Sequence, residues 1–437
     1  AFLNQLGVSP TFNLLTSVMD DMRPENKYLH LMDEQEAITK AQALLNRQGE
    51  VAVSPLAVYR HASKADSVQQ GRPNVVLIMM ESMSSKLMKH FGQSETLTPF
   101  LDSLYTRSIS FRNFYSAGIH TNHGLYATLY SFPAMMKRNL MKGSVIPRYS
   151  GLPTVLKENG YYNLFFMTHE GQYDNMNAFF RTNGYDEVFS QENYPADKVV
   201  NSFGVQDDFL YDYAIPVLNQ RAATGEPFFA TLLSISNHPP YVIPPFFHPK
   251  TSEPETQIVE YADWALRKFF EEARKQPWFD NTIFVLEGDH GKLVGDAECE
   301  LPESYNHIPL MIYSSRIHPE EKNTFGGQVD IQPTILGLLN IDYLQNNFGV
   351  DLLKEERPCM FYTADNMIVG RNDTLLYLYN YETQQEFTYH IDNGKLKAVP
   401  MDDRFLPLKE YSFSMLQSAE FLVKHGKTVN SVPVTQQ

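Results

Sequence analysis

The stretch that decides the fold of this chain is Val75-Val76-Leu77-Ile78-Met79-Met80, a continuous apolar run that stops abruptly at Glu81. A run without polar alternation predicts a strand that is buried on both faces, as in a parallel sheet covered by helices. Open sheets of this kind place their functional sites at the carboxyl ends of the strands. Glu81 is therefore either a site residue or an ordinary acidic residue in the first turn of a following helix.

Three more apolar runs repeat this pattern, at residues 162–167, 228–235 and 282–286, and helical spacing lies between them at 153–159 and 261–275. Strands that alternate with helices predict an α/β fold with a mostly parallel central sheet between layers of helices. The apolar runs are followed by polar residues, among them His169, His238, Asp289 and His290. We expect these side chains to meet at one edge of the sheet.

A different kind of signal surrounds Thr121. Turn-forming residues at 116–124 pass into apolar residues at helical spacing, Leu125, Leu129 and Phe132. A threonine at such a junction is a natural helix N-cap. Its hydroxyl would also lie at the positive end of the helix dipole, where a nearby metal could activate it as a nucleophile.

Charge and cysteine content narrow the function classes. The net charge of -15 argues against nucleic acid or an anionic membrane surface as the main partner. A bound cation can still invert the local field, so an anionic substrate is compatible with this charge. Cys299 and Cys359 have no metal-ligand spacing, although they could pair in an oxidising compartment.

The residue types after the strands suit metal and phosphoryl chemistry. The carboxylates of Glu81 and Asp289 and the imidazole of His290 form a ligand set for a divalent cation. A hydroxyl such as that of Thr121 could be the fourth ligand, held as an alkoxide, and further histidines suit the binding of phosphoryl oxygens. The alternatives are structural: a simple turn at 288–291 and a rigid loop at His238.

These motifs resemble those of the alkaline phosphatase/sulfatase superfamily and, within it, of the lipoteichoic acid synthase-like phosphoglycerol transferases. The resemblance extends over residues 73–353. It rests on the segments 74–82, 98–102, 121–124, 236–239, 288–291 and 330–335. A sulfatase proper would need a cysteine or serine nucleophile in a particular context, which neither Cys299 nor Cys359 has.

The resemblance implies roles for individual residues. The metal ligands would be Glu81, Thr121, Asp289 and His290, with Thr121 also the nucleophile. They would hold one divalent ion, Mn²⁺ in preference to Mg²⁺ or Zn²⁺.

The resemblance also implies substrate-binding residues. His238 would bind the substrate phosphate, and His169, Tyr173 and Asp174 would line a glycerol-phosphate pocket. The family often has an arginine near residue 173, and this chain has none there. His307 resembles a histidine near a second zinc in phosphoethanolamine transferases.

The implied reaction is the transfer of phosphoglycerol from a glycerophospholipid, such as phosphatidylglycerol, to a glycan or polymer acceptor through a phosphothreonine intermediate. Alternatives within the superfamily are phosphoethanolamine transfer and phosphodiester hydrolysis. An alternative from another class is a catalytically silent domain that holds a glycan or a lipid headgroup in the same cleft. A silent domain need not contain a stoichiometric metal.

The chain divides into three predicted parts. Residues 1–70 form a helical juxtamembrane lead-in, 71–353 the catalytic domain, and 354–437 a small antiparallel sheet with a final helix, which we expect to carry no chemistry. The resemblance implies membrane helices upstream of Ala1 and a catalytic domain that faces the periplasm or the cell exterior.

Overall fold

The computed structural model describes residues 28–47, 50–61, 72–143 and 145–430. Phe12, Leu15 and Met19, whose helical spacing predicts a first helix in the lead-in, lie outside these residues. The α-helices of the described residues are α1 Glu34–Leu45, α2 Pro99–Tyr105, α3 Thr121–Tyr130, α4 Leu152–Glu158, α5 Met176–Thr182, α6 Asp207–Ala222, α7 Pro254–Ala273, α8 Ile331–Leu338 and α9 Leu406–Lys424.

The strands belong to one large sheet, one smaller sheet and two short pairs. In chain order they are β1 Val58–Arg60, β2 Asn74–Met80, β3 Ile109–Tyr115, β4 Tyr162–Met167, β5 Glu187–Phe189, β6 Val199–Asn201, β7 Gly204–Val205, β8 Phe228–Leu233, β9 Thr282–Gly288, β10 Leu310–Tyr313, β11 Glu320–Gly327, β12 Tyr343–Gln345, β13 Met360–Ala364, β14 Met367–Arg371, β15 Leu375–Asn380, β16 Glu386–Asp392 and β17 Lys395–Ala398.

The large sheet has eight strands in the order β11-β3-β10-β9-β2-β8-β4-β5. Every pair is parallel except those of β10, which runs antiparallel to β3 and β9. The strand β2 lies inside the sheet and is buried along its whole length, as its apolar sequence predicts. The expected α/β fold with a mostly parallel central sheet is therefore confirmed.

Helix α7 differs from its predicted range, because it begins at Pro254 rather than at residue 261. Proline is favoured in the first turn of a helix, where its missing N–H has no partner to lose. The residues of this first turn are exposed or half-buried, so they contribute no apolar periodicity. Capping chemistry therefore marks the start of this helix better than hydrophobic spacing does.

The expected C-terminal antiparallel sheet and helix are also confirmed. The five strands β13 to β17 follow one another in chain order, and α9 packs against β13 and β14. A two-residue hairpin turn joins β16 to β17, where Asn393 and Gly394 both have positive φ. This is the backbone conformation that a two-residue hairpin turn requires.

The described end of the lead-in packs on the C-terminal helix. Helix α1 lies against α9, the N–H of Leu29 donates to Glu420 Oε2 at 2.8 Å, and Lys424 pairs with Glu34 at 2.7 Å. Among these residues, no helix combines the length and apolar character needed to cross a bilayer. The division into three parts stays a prediction.

Cys299 and Cys359 do not pair, and both are free thiols.

Candidate active site

The sheet brings Glu81, Asp289 and His290 together. In the parallel pair of β2 and β9, Met80 lies beside Gly288, so the residues that follow both strands leave the sheet side by side. One ligand atom from each of the three side chains lies within 4.8 Å of the others. His290 Nε2 is 3.9 Å from Glu81 Oε1 and 3.6 Å from Asp289 Oδ2. Within the part of the chain that the structure describes, no other cluster of this kind occurs.

Hydrogen bonds fix the two carboxylates and leave one oxygen of each without a partner. Asp289 Oδ1 accepts from the N–H groups of Ser82 at 2.8 Å and His290 at 2.7 Å. Ser82 Oγ donates to Glu81 Oε1 at 2.5 Å. Glu81 Oε2 and Asp289 Oδ2 are buried and accept no hydrogen bond from any described residue. Buried carboxylate oxygens without donors are suited to binding a cation.

The imidazole of His290 is also oriented for binding a cation. Its Nδ1 lies 2.8 Å from the carbonyl oxygen of Gly291, and a carbonyl can only accept, so we assign the proton to Nδ1. Nε2 then carries the lone pair and faces the carboxylates. A backbone carbonyl that fixes the tautomer in this way is the usual support of a metal-bound histidine.

The electrostatics of the cluster agree with a cation site. Burial, and then the neighbouring carboxylate of Asp289, raise the pKa of Glu81 well above its usual value. Two carboxylates this close resist joint ionisation unless a positive charge lies between them. The residues present therefore fit a divalent ion with oxygen and imidazole ligands, and they do not distinguish one such metal from another.

Thr121 is the first residue of α3. The preceding residue, His120, is extended, occupies the N-cap position and makes no capping hydrogen bond with its side chain. The Thr121 hydroxyl donates no hydrogen bond to any described residue and is half-buried. The alternative interpretation of Thr121 as the N-cap is therefore wrong, because the helix begins at Thr121 itself, one residue earlier than that interpretation requires.

The first turn of α3 packs directly on the loop that carries Asp289. A Cβ atom at Gly124 would lie 2.3 Å from the carbonyl oxygen of Asp289, so only glycine permits this approach. Gln328 Nε2 donates to the same oxygen at 2.8 Å, and Gln328 Oε1 accepts from Ala117 N–H at 2.9 Å. These contacts hold the start of the Thr121 helix against the metal-ligand loop.

His169 and Tyr173 lie on the loop after β4. The His169 ring is buried, its Nδ1 lies 3.1 Å from the carbonyl oxygen of Glu170, and its centre is 4.7 Å from that of Tyr173. Burial lowers the pKa of His169, so the ring is held neutral. Burial, Asp174 and Glu81 all raise the pKa of Tyr173, so its ring lies within the field of the metal cluster.

Asp174 connects this loop to helix α3. Its carboxylate accepts from Asn122 Nδ2 at 3.3 Å and pairs with Lys142 at 2.7 Å. Asp174 and the next residue both have positive φ, a conformation that aspartate and asparagine tolerate better than most residues. Asp174 is thus placed beside the first turn of α3.

His238 and His307 lie in different surroundings. The ring of His238 packs 4.0 Å from that of Phe203, in the loop that follows β8. His307 lies between Phe91 and Tyr115, and its Nε2 donates to the carbonyl of Arg112 at 2.8 Å. The described contacts therefore give His307 no place in the metal cluster, and its predicted role has no support from them.

Asn237 and Lys292 belong to the site although the sequence did not single them out. Asn237 Nδ2 lies 3.1 Å from the backbone oxygen of Glu81 and 3.2 Å from that of Ser82, and its Oδ1 accepts from Lys292 Nζ at 2.7 Å. Burial lowers the pKa of Lys292 to about 8. Asn237 lies within the segment 236–239, and Lys292 directly follows the segment 288–291. These positions were the signal in the sequence that could have identified them.

His123 lies within the segment 121–124, and the family resemblance implies no role for it. It is fully buried on α3, and neither ring nitrogen has a partner among the described residues. Burial lowers the pKa of His123 to about 3, so the ring is neutral. Gly118 allows the ring to pack closely, because a Cβ there would lie 2.3 Å from His123 Nδ1.

The fold and this geometry define an alkaline phosphatase-like α/β protein whose possible metal site lies at the carboxyl ends of the central strands. The chain belongs to the sulfatase family, since the family model described as Sulfatase matches residues 73–341. The predicted resemblance to the alkaline phosphatase/sulfatase superfamily is thereby confirmed, and with it the prediction of an enzyme family.

Curated relatives include two lipoteichoic acid synthases from Bacillus subtilis (strain 168). Lipoteichoic acid synthase 1 is 25% identical over 354 residues, which cover 74% of this chain and 54% of the relative. Lipoteichoic acid synthase 2 is 24% identical over 315 residues, which cover 65% of this chain and 47% of the relative. The chain thus spans about half the length of the curated relatives it matches.

Two solved structures share the fold. A protein in the alkaline phosphatase superfamily from Vibrio parahaemolyticus superimposes with a TM-score of 0.81 at 25% identity, covering 93% of this chain and 99% of that one. The lipoteichoic acid synthase LtaP from Listeria monocytogenes gives a TM-score of 0.72 at 20% identity, covering 89% and 98%.

Proposed function

We propose that this protein transfers phosphoglycerol from a phosphatidylglycerol-like lipid to the hydroxyl of a glycan or polymer, through a phosphothreonine at Thr121. The observation that carries the proposal is the pairing of a free threonine hydroxyl at a helix start with two buried, unpartnered carboxylate oxygens across a packed contact. The curated relatives named as lipoteichoic acid synthases support a transferase of this class.

The proposed metal ligands are Glu81, Asp289, His290 and the Thr121 oxygen. A divalent ion held there, Mn²⁺ by the family resemblance, would lower the pKa of the hydroxyl and stabilise charge on the phosphoryl oxygens. The two carboxylates and the neutral imidazole supply a hard, mainly oxygen ligand set that suits Mn²⁺ or Mg²⁺ and also accepts Zn²⁺.

The proposed reaction consists of two displacements at phosphorus. Thr121 Oγ loses its proton and forms a bond to phosphorus while the bond from phosphorus to the diacylglycerol oxygen breaks and that oxygen takes up a proton. The acceptor oxygen later forms a bond to phosphorus as the bond to Thr121 Oγ breaks, and the acceptor's proton goes to Thr121 Oγ.

The remaining side chains have proposed roles in binding. His238 and His169 bind the phosphoryl oxygens, and Tyr173 and Asp174 lie where the glycerol would bind. Lys292 provides positive charge beside Asn237, whose Oδ1 accepts from its Nζ.

The location of the protein is a separate proposal. A lipid donor of this kind is met at a membrane surface, so the catalytic domain would face the periplasm or the cell exterior next to a membrane. The test is fractionation of the native full-length protein together with protease protection of its catalytic domain. Recovery of that protein wholly from the cytosol would contradict this location.

The test of the reaction is mass spectrometry of the protein after incubation with Mn²⁺ and phosphatidylglycerol. We expect the Thr121 peptide to gain the mass of a phosphoglycerol group. Thr121→Ala should show no adduct and should lose about a thousandfold or more in diacylglycerol release, because the variant lacks the atom that forms the covalent bond. Thr121→Ser, which keeps the hydroxyl, should retain part of the activity.

The same experiment separates the alternatives. A phosphoethanolamine adduct from phosphatidylethanolamine would assign the neighbouring activity, and diacylglycerol release without an adduct would indicate direct hydrolysis. A protein that binds no stoichiometric metal and releases no product would be the silent binding domain. Near-normal transfer by Thr121→Ala would rule out the threonine as the nucleophile.

A further inference from the structure

A groove of about 410 Å³ lies between the loop that precedes Thr121 and the C-terminal sheet. One side is formed by Ile119 and by residues 300–305, and the other by the turn between β13 and β14 and by the facing ends of β15 and β16. We call it the C-terminal groove. The roles implied by the family resemblance do not include it.

The groove opens beside the proposed nucleophile. Ile119 lines it and stands two residues before Thr121, a span of at most about 7 Å along an extended backbone. His120, between them, lies with its Nε2 3.2 Å from Asp365 Oδ1 on the opposite wall. One end of the groove therefore lies within two residues of Thr121 along the chain.

The two walls are held at a fixed distance from each other. The N–H of Thr363 on β13 donates to the carbonyl of Ala117 at 2.9 Å. Asn306 Nδ2 lies 3.2 Å from Ser116 Oγ and 3.4 Å from the Thr363 carbonyl oxygen, so it bridges both walls from a buried position. The C-terminal sheet is thus joined to the nucleophile loop, and the groove is part of the folded structure.

The lining has the chemistry of a sugar site. Tyr305 and Phe387 present half-buried aromatic rings, which can pack against the C–H faces of a sugar. Asn366 offers an amide donor and acceptor, and Asn380 offers an amide donor, because its Oδ1 already accepts from two backbone N–H groups. Glu300 and Asp365 offer carboxylate acceptors for hydroxyl groups. An apolar floor with a few polar groups at its rim is typical of a small-molecule site.

The charge of the groove selects against an anionic polymer. Among the described residues that line it there is no lysine, arginine or histidine, and two carboxylates are present. A chain of glycerol phosphates would bring repeated negative charges against Glu300 and Asp365, and the basic side chain beside them, His120, already contacts Asp365, so this approach is unfavourable. A neutral glycan meets no such repulsion.

We propose that the C-terminal groove binds the acceptor and that the acceptor is an uncharged glycan. This rests on the proposed transfer reaction. The oxygen of a sugar hydroxyl forms a bond to phosphorus, the bond between phosphorus and Thr121 Oγ breaks, and the proton of the sugar hydroxyl goes to Thr121 Oγ. The proposal assigns residues 354–437 a part in substrate binding, where the sequence predicted none.

The first test is binding, which needs no turnover. Neutral gluco-, galacto- and manno-oligosaccharides and a glycerol-phosphate oligomer are titrated into the full chain by calorimetry. We expect at least one neutral oligosaccharide to bind, and Phe387→Ala and Asn366→Ala to weaken it tenfold or more. Tyr59→Ala is the matched control, because Tyr59 is an exposed aromatic on β1 outside the groove and should leave the affinity unchanged.

The second test is transfer from phosphatidylglycerol in mixed micelles. The oligosaccharide that binds should receive the phosphoglycerol group, and both groove variants should raise its KM. Thermal unfolding checks that the variants fold, and Phe387→Leu replaces Phe387→Ala if the latter does not. Binding of none of the neutral oligosaccharides, unchanged affinity in the groove variants, or preference for the glycerol-phosphate oligomer would overturn the proposal.

The two tests separate this inference from the proposed function. If a neutral oligosaccharide binds through Phe387 and Asn366 but no adduct forms on Thr121, the groove is a glycan site and the transfer reaction is wrong. If the adduct forms and no neutral oligosaccharide binds, the transfer reaction stands and the assignment of the groove is wrong.

Discussion

Replacement of Asp289 by asparagine should separate metal binding from folding. The asparagine keeps an Oδ1 that can accept from the N–H groups of Ser82 and His290, which Asp289 holds at 2.8 and 2.7 Å. The other oxygen, which is buried and unpartnered, becomes an amide NH₂ group that cannot bind a cation. The loop geometry is preserved while the proposed ligand is lost.

The expected change in the stability of the metal-free protein follows from the distance between the two carboxylates. The ligand atoms of Glu81 and Asp289 lie within 4.8 Å of each other, where two full charges repel by about 3.5 kcal/mol at an effective dielectric constant of about 20. Protonation of Glu81, whose pKa burial raises, relieves part of this repulsion. The metal-free variant should therefore be more stable than the metal-free wild type, by at most about 3.5 kcal/mol.

Added metal should raise the melting temperature of the wild type and leave that of the variant unchanged. For a chain of 437 residues the entropy of unfolding is about 0.9 kcal/mol per degree, so the variant should melt up to about 4 °C above the chelated wild type. Mn²⁺ at about a hundred times its dissociation constant stabilises a native site by about 2.7 kcal/mol, which should raise the melting temperature of the wild type by about 3 °C. The variant should not respond.

The assay is thermal unfolding after chelation and during a titration with MnCl₂, together with elemental analysis of the bound metal. Asp263→Asn is the matched control, because Asp263 is also buried and caps α2 through the N–H groups of Phe100 and Leu101, both at 2.9 Å. This control should melt lower and keep the response to Mn²⁺. An Asp289→Asn protein with the wild-type metal content and the wild-type shift would refute the assignment of the ligand.

Two further substitutions test the support of the site and of the fold. Asn237→Ala removes the side chain that contacts the backbone oxygens of Glu81 and Ser82, so metal affinity measured by titration should fall about 10- to 100-fold, and an unchanged affinity would contradict this role. Arg357→Met leaves the Asp330 carboxylate buried without its guanidinium and should lower the free energy of unfolding by about 3–5 kcal/mol, measured by chemical denaturation. The Mn²⁺ response of Arg357→Met should persist, and a loss of that response would show that this ion pair also shapes the metal site.

The strands of the central sheet could be predicted where they are buried on both faces. β2, β4, β8 and β9 are continuous apolar runs, and their ends fall within two residues of the predicted ones. β11 could not be found in this way, because it lies at the edge of the sheet and its first residues are charged and exposed or half-buried. Edge strands often carry such charges, which oppose pairing with other chains.

The sequence predicted which residues would converge, but not which atoms would remain free. Glu81 and the residues Asp289 and His290 follow adjacent strands, so the topology alone makes them neighbours. The unpartnered oxygens of the cluster depend on the turn at Ser82, whose φ of 50° brings its N–H to Asp289. A non-glycine residue in the left-handed region cannot be recognised from composition.

The contribution of the C-terminal sheet to the proposed groove could not be predicted from the sequence, for a different reason. Its strands β13 and β14 are buried throughout, so their sequence reads as core, and only the turn between them carries the exposed Asp365. That turn faces His120, more than two hundred residues earlier in the chain, through a contact that no local pattern encodes. Because the hydrogen bond from Thr363 to Ala117 holds this sheet beside the nucleophile loop, a change of residues in the turn would alter the surroundings of Thr121 while the metal ligands stay in place. Under the two proposals, the choice of acceptor can therefore change while the proposed metal ligands stay the same.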